Sequence, residues 1–201
     1  MPGSPFARYE PHDVRDLIAD FPLAWVRAEG GEASLLPLIG VFDQAGALTE
    51  LIGHLALSNP LHAALAKCGR ATILFMGPQG YISPSHAGRR NWGPTWNYAQ
   101  ARIEADIRLE PEHTGQALDT LIECVERDKP EPWSADELGE RYGQLIRHIA
   151  GFRARIISVE ARFKLGQDED LPTLRTILGK LKDPALVKWM TRFNQKRLDL
   201  A

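Results

Sequence analysis

The spacing of apolar positions changes period several times along the chain, and each change marks an element. Residues Asp13–Asp20 (DVRDLIAD) repeat at helical spacing, with His12 and Asp13 placed to cap the helix and Pro22 to stop it. Three runs then read as extended: Leu23–Ala28, Ser34–Phe42 and Leu48–Leu55, separated by turn signals at Gly30-Gly31 and Gln44-Ala45-Gly46. This is the pattern of an antiparallel meander. Pro37 predicts that the second strand is an edge or carries a bulge, because proline cannot donate to a ladder. Asn59-Pro60 starts a helix that ends near Gly69, with Asn59 as its cap. Ala71–Met76 is continuously apolar and predicts a strand buried on both faces.

The stretch Gly77–Tyr98 (GPQGYISPSHAGRRNWGPTWNY) breaks the pattern. Pro78, Pro84 and Pro94 each remove a backbone donor, so a helix is excluded over the stretch. Two short extended pieces are expected, Gly80–Ser83 and Pro94–Tyr98, joined by a polar loop. A loop that gathers Ser, Thr, Asn, Arg and Trp is a place for function, and an aromatic-capped barrel corner is the plain alternative. After it, Gln100–Leu109 alternates as a half-buried strand. Helices are expected over Glu112–Arg127 and Ala135–Ile149, with Lys129–Trp133 as a linker, and Phe152–Leu165 alternates again. Beyond residue 168 two helices follow, one opened by Pro172 and one by Asp183-Pro184. Their apolar stripes are Leu174, Ile177, Leu178, Leu181 and Leu186, Trp189, Met190, Phe193. The fold class expected is mainly β with helices (α+β): a small antiparallel barrel with peripheral and C-terminal helices. Two domains are expected, a barrel over 1–168 with inserted helices and a helical extension over 169–201 packed on it.

Composition narrows the classes. At 201 residues, 44% hydrophobic and 25% charged, the chain has the make-up of a globular domain. A net charge of −2 offers no chain-wide basic field for nucleic acid, but the tail from residue 172 has a local net charge of +5. Arg175, Lys180, Lys182, Lys188, Arg192, Lys196 and Arg197 stand there against Asp183 and Asp199. A solvated helical face and a contact to DNA or a partner are both open readings of that tail. The N-terminus lacks the apolar core of a signal peptide and no apolar run reaches membrane length, so a cytoplasmic protein without a membrane partner is expected. Cys68 and Cys124 share no metal or redox spacing and read as reduced structural thiols. The histidines show no ligand spacing, so no metal site and no catalytic residue is assigned.

Four blocks, in order, carry a resemblance. They are Gly53-His54-Leu55-Ala56 with Asn59-Pro60; Gly77-Pro78 with Tyr81-Ile82-Ser83-Pro84-Ser85; Pro94-Thr95-Trp96-Asn97-Tyr98; and Gly151-Phe152 with Phe163-Lys164-Leu165 and Gln167. From about Arg8 to Gln167 the chain resembles the PaiB-like family, described as FMN-binding negative transcriptional regulators. The resemblance implies an FMN-binding split β-barrel related to pyridoxamine-phosphate-oxidase-like proteins. It also implies a homodimer with the flavin sites at the subunit interface. The chain departs from the family's pattern at Leu35, where a His is usual, at Leu57, where an Arg is usual, at Gln79 for a His, and at Gly166 and Asp168 for Ser and Asn.

A flavin mononucleotide needs cations, hydroxyls or free N–H groups for its phosphate, polar partners for its pyrimidine edge, and an aromatic or apolar wall. Within the resemblance, Ser83, Ser85 and Thr95 offer hydroxyls, Lys164 offers charge along with Arg89 and Arg90, and Trp96, Tyr98 and Tyr81 offer aromatic faces. Asn97, Gln167 and His54 offer edge hydrogen bonds. Plainer roles stand beside these: a strand histidine at 54, a turn at Ser83–Ser85, a surface charge at Lys164. The functional expectation is an FMN-holding binding protein in transcriptional control. The alternatives are a flavin- or haem-dependent oxidoreductase and a relative that has lost FMN.

Overall fold

The computed structural model describes residues 4–200; residues 1–3 and 201, the outer ends of the two expected domains, lie outside the described residues. In chain order the elements are α1 (Pro11–Asp20), β1 (Leu23–Ala28), β2 (Ala33–Phe42), β3 (Leu48–Ala56), α2 (Pro60–Lys67), β4 (Arg70–Ile82), α3 (Pro84–Ala87), β5 (Thr95–Leu109), α4 (Thr114–Glu126), α5 (Glu140–Leu145), β6 (Ile149–Lys164), α6 (Leu171–Lys180) and α7 (Pro184–Asp199). The strands form a closed barrel in the order β1-β2-β3-β6-β5-β4, and β4 pairs antiparallel back onto β1. This is the antiparallel barrel expected from the alternation, and the split-barrel architecture that the resemblance implied.

Closure changes the reading of Pro37. Strand β2 lies between β1 and β3 and is no edge, and its irregularity falls at Val41/Phe42. Pro37 is tolerated because it sits where β2 changes partners: residues up to Pro37 register with β1, and Leu38 onward registers with β3. Strand β4 also runs further than expected. Gly77 and Pro78 lie inside it, since the fixed φ of proline is compatible with extended backbone. Likewise the pieces expected over Pro94–Tyr98 and Gln100–Leu109 merge into one strand, β5, which begins at Thr95. The loop between β4 and β5, expected to hold no helix, contains the one-turn α3, with Pro84 at its first position. The helix expected over Ala135–Ile149 is instead three short turns, because Gly139 adopts φ 54° and interrupts it.

The chain divides into two compact units. The larger consists of Pro11–Phe75 and Ala101–Glu160, the smaller of residues up to Glu10, Met76–Gln100 and Ala161 onward. In the larger unit, Val26, Leu38, Leu51, Leu55, Ile73, Ile103 and Phe152 are buried. Gly53 leaves room there for its neighbours: a Cβ would sit 2.5 Å from Leu38 Cδ2 and 2.6 Å from Phe152 Cζ, so one of these side chains would have to shift. In the smaller unit Ile82, Phe163, Leu165, Leu174, Leu186 and Trp189 are buried. Phe163 stacks on Phe193 at 4.7 Å and on Trp189 at 5.9 Å, so the second apolar stripe of the tail is core. No helix among the described residues is long and apolar enough to cross a membrane.

Candidate functional site

All the candidate residues except His54 lie in the smaller unit. The β4 end, α3, the start of β5 and the end of β6 supply them. Trp96 and Tyr81 are 54% and 46% exposed, with ring centroids 5.9 Å apart and planes tilted by 57°. Large aromatic faces left in water on a strand are the raw material of a binding surface. The ammonium of Lys164 donates to the hydroxyl of Thr95. Tyr98 is half-buried on β5.

Ser83 caps α3: its hydroxyl accepts from the N–H of Ser85 at 3.0 Å, and its own N–H donates to His86 Nδ1 at 3.3 Å. The Ser83 and Ser85 hydroxyls are 2.5 Å apart. Further bonds fasten the segment after them. Lys180 donates to the Ser85 carbonyl at 2.8 Å, Arg89 reaches Asp170 and Thr173 at 3.3 Å each, and Trp92 Nε1 donates to Glu169 at 3.1 Å. Asp170 caps α6 by accepting from the Thr173 N–H. That bond, with smaller help from Arg89, holds its carboxyl below the usual carboxylate range.

Two of the expected edge groups are spent internally. Asn97 is 3% exposed, and its Nδ2 donates to Met190 Sδ at 3.5 Å. Gln167 turns back on its own strand, accepting from the Leu165 N–H at 2.7 Å and donating to the Phe163 carbonyl at 2.6 Å. The intervening Gly166 has φ 87°, and a Cβ on it would press on Leu174 at 3.1 Å. This left-handed backbone explains glycine where the resembling family has serine. Arg197 closes the same turn, donating to the carbonyls of Gly166 and Glu169 and to Asn194 Oδ1.

His54 stands apart, in the larger unit, on β3 opposite Gly151 of β6. It is half-buried, and its Nδ1 is buried with no hydrogen-bond partner among the described residues. Burial pushes its pKa down, so the ring is neutral at pH 7. The cysteines are both exposed, Cys124 on α4 and Cys68 at the end of α2, where its thiol faces Glu29 at 3.4 Å.

Two residues that belong with this surface were missed. Arg162 Cζ and Lys164 Nζ lie 5.7 and 5.9 Å from the centroid of the same Phe6 ring. The signal for Arg162 was present in the alternation of β6, since residues two apart share a face. Phe6 carried no signal, because its contact spans most of the chain length.

The donor set fits a phosphorylated flavin in part. A cation, three hydroxyls and exposed aromatic faces are present, with no carboxylate bonded to Lys164 among the described residues; Asn97 and Gln167 are directed elsewhere. Four clefts, of about 560, 360, 360 and 10 Å³, lie in the larger unit, and none of these is lined by the candidate residues.

Comparison with known proteins follows the same line. The chain is 27% identical over 135 residues to "Protease synthase and sporulation protein PAI 2" of Bacillus subtilis, a match that covers 66% of this chain and 65% of that protein. The fold is similar to that of the FAD and heme binding protein from Mycobacterium smegmatis, with a TM-score of 0.56, 15% identity, and 85% of this chain and 78% of that chain covered. It is similar as well to the flavocytochrome Anf3 from Azotobacter vinelandii, with a TM-score of 0.56, 15% identity, and 80% and 70% covered. The family described as "Putative FMN-binding domain" matches residues 2–158, and the chain belongs to that family, as its PaiB-like blocks implied.

Proposed function

We propose that this protein holds FMN on the exposed surface formed by Trp96, Tyr81, Thr95 and Lys164, that a second copy of the chain closes the site, and that the dimer acts in transcriptional control. The observation that carries the reading is the Trp96–Tyr81 pair, left in water one residue along β5 from Thr95, which takes the ammonium of Lys164. An aromatic wall next to a cation and hydroxyls suits a ring that ends in a phosphate. The ring would rest against Trp96 and Tyr81, and Lys164, Thr95, Ser83 and Ser85 would face the phosphate. When bound, FMN supplies redox chemistry; the residues here bind and orient it.

A second copy is invoked because the larger unit leaves an apolar strip in water. Trp25 is 50% exposed and registers between Leu35 of β2 and Leu74 of β4, with Leu23 and Pro37 beside them. Such a strip is a protein–protein surface by chemistry. The regulatory part of the reading comes from the PaiB-like resemblance alone. DNA contact, if made, falls to the basic tail, where Arg175, Lys180 and Arg197 already donate to backbone carbonyls.

Titrating the purified protein with FMN, by quenching of flavin fluorescence, tests the cofactor. Sedimentation with and without FMN tests the dimer. Saturable binding by a dimer is expected, and a monomer that ignores FMN would end the reading. A flavin-dependent oxidoreductase is the second reading, favoured by the flavocytochrome among the fold neighbours. Bleaching of the bound flavin by a nicotinamide reductant would move the assignment there.

A further inference from the structure

We infer that Arg162 and Lys164 form a phosphate-binding site organised by Phe6. The three residues belong to the smaller unit, and the two cations stand at i and i+2 on one face of β6. Both lie within 6 Å of one aromatic centroid. Neither is ion-paired with a carboxylate among the described residues. Elsewhere on the same strand cations are balanced: Arg153 meets Glu50 and Glu110, and Arg155 meets Asp106. Two like charges side by side on one ring repel each other, and the ring's negative face offsets only part of that repulsion. A dianion between them would offset the rest.

The hydrogen-bond inventory matches a phosphomonoester. Lys164 gives one N–H to Thr95 Oγ1 and retains two. Because Thr95 is the acceptor in that bond, its own O–H is left to donate outward. Arg162 brings a planar fork that suits two phosphate oxygens. Phe6 does not touch the ligand in this arrangement. It is a positioning residue, fixed by the short turn at Pro5–Ala7 that Ser4 caps.

The ligand's identity as FMN rests on the function proposed above; the anion site does not. The test uses the full chain as wild type, Arg162→Gln, Phe6→Ala and Phe6→Leu, with FMN, riboflavin and inorganic phosphate as probes. Arg162→Gln is expected to weaken FMN about tenfold and to leave riboflavin, which lacks the phosphate, unchanged. Phe6→Ala is expected to shift FMN in the same direction by a few fold, and Phe6→Leu, which keeps bulk but loses the ring face, to behave like Phe6→Ala. Unchanged FMN affinity in Arg162→Gln, or equal loss of FMN and riboflavin, would overturn the site. If the wild type takes neither flavin, the FMN reading falls and the anion site is decided by phosphate. A rise in the thermal midpoint in phosphate over chloride at equal ionic strength, abolished in Arg162→Gln, supports it; no rise in the wild type overturns it.

Discussion

Strand β6 passes from an electrically balanced region to an unbalanced one. In the larger unit Arg153 and Arg155 lie against carboxylates at 3.0 and 2.8 Å, and Arg102 reaches Glu160 at 3.2 Å. In the smaller unit, on the same strand, Arg162 and Lys164 have a ring and a hydroxyl instead. Exposed ion pairs contribute little to stability but neutralise a surface. A surface whose cations are all paired is poorly suited to anions, and one whose cations lean on uncharged groups remains receptive. Along β6 the difference is thus one of charge left over: its cations are paired with carboxylates in the larger unit and not at 162 and 164.

The comparison can be broken in several places. The largest effect is expected from Trp189→Ala, which empties a site 1% exposed and stacked on Phe163; a loss of about 3–5 kcal/mol in urea unfolding follows from the cavity. A loss under about 1 kcal/mol would mean that the smaller unit has no core of its own. Next is Lys164→Gln, expected to weaken FMN roughly ten- to a hundredfold while unfolding changes little, as read by flavin titration beside a melt. Smaller again is Arg155→Ala, where about 0–1 kcal/mol of stability and no change in FMN affinity are expected. If Arg155→Ala matched Lys164→Gln in FMN titration, paired and unpaired cations would not differ.

The smallest effect is one of slope. His54 has its pKa lowered by burial, so the unfolded chain binds its proton first. Stability is then complete above the ordinary histidine value near 6.5 and falls as pH drops below it toward the folded value. Urea midpoints measured from pH 8 to pH 5 in wild type and His54→Gln should diverge only on the acid side. Parallel curves would remove burial as the cause.

The barrel strands were legible because alternation is a local property: β1, β2 and β3 begin and end within one residue of the expected bounds. Proline was the misleading signal. Pro78 and Pro94 were read as punctuation, yet β4 continues through Pro78 and β5 begins right after Pro94, because an extended chain already has the φ that proline imposes. The helix over Ala135–Ile149 failed for a different reason, a single glycine in a left-handed conformation, which apolar spacing does not encode. Among the candidate residues, the sequence blocks pointed to Trp96 and Tyr81, whose rings the structure leaves exposed. The orientation of an amide was not: Asn97 and Gln167 were chosen for polarity, and polarity does not say whether an amide faces a ligand or its own backbone. Phe6 was out of reach because no pattern links it to residues more than 150 positions away.

Gln167 has one more consequence. Its side chain takes the place of a neighbouring peptide group, receiving the N–H of Leu165 and giving its own to Phe163, so β6 is extended at its tip by a borrowed amide. The mimicry depends on which atom is nitrogen. A glutamate there would keep the shape and charge-assist the first bond, but it would bring an oxygen against the Phe163 carbonyl where a donor is required. At this point the length of a strand is decided by the identity of one atom.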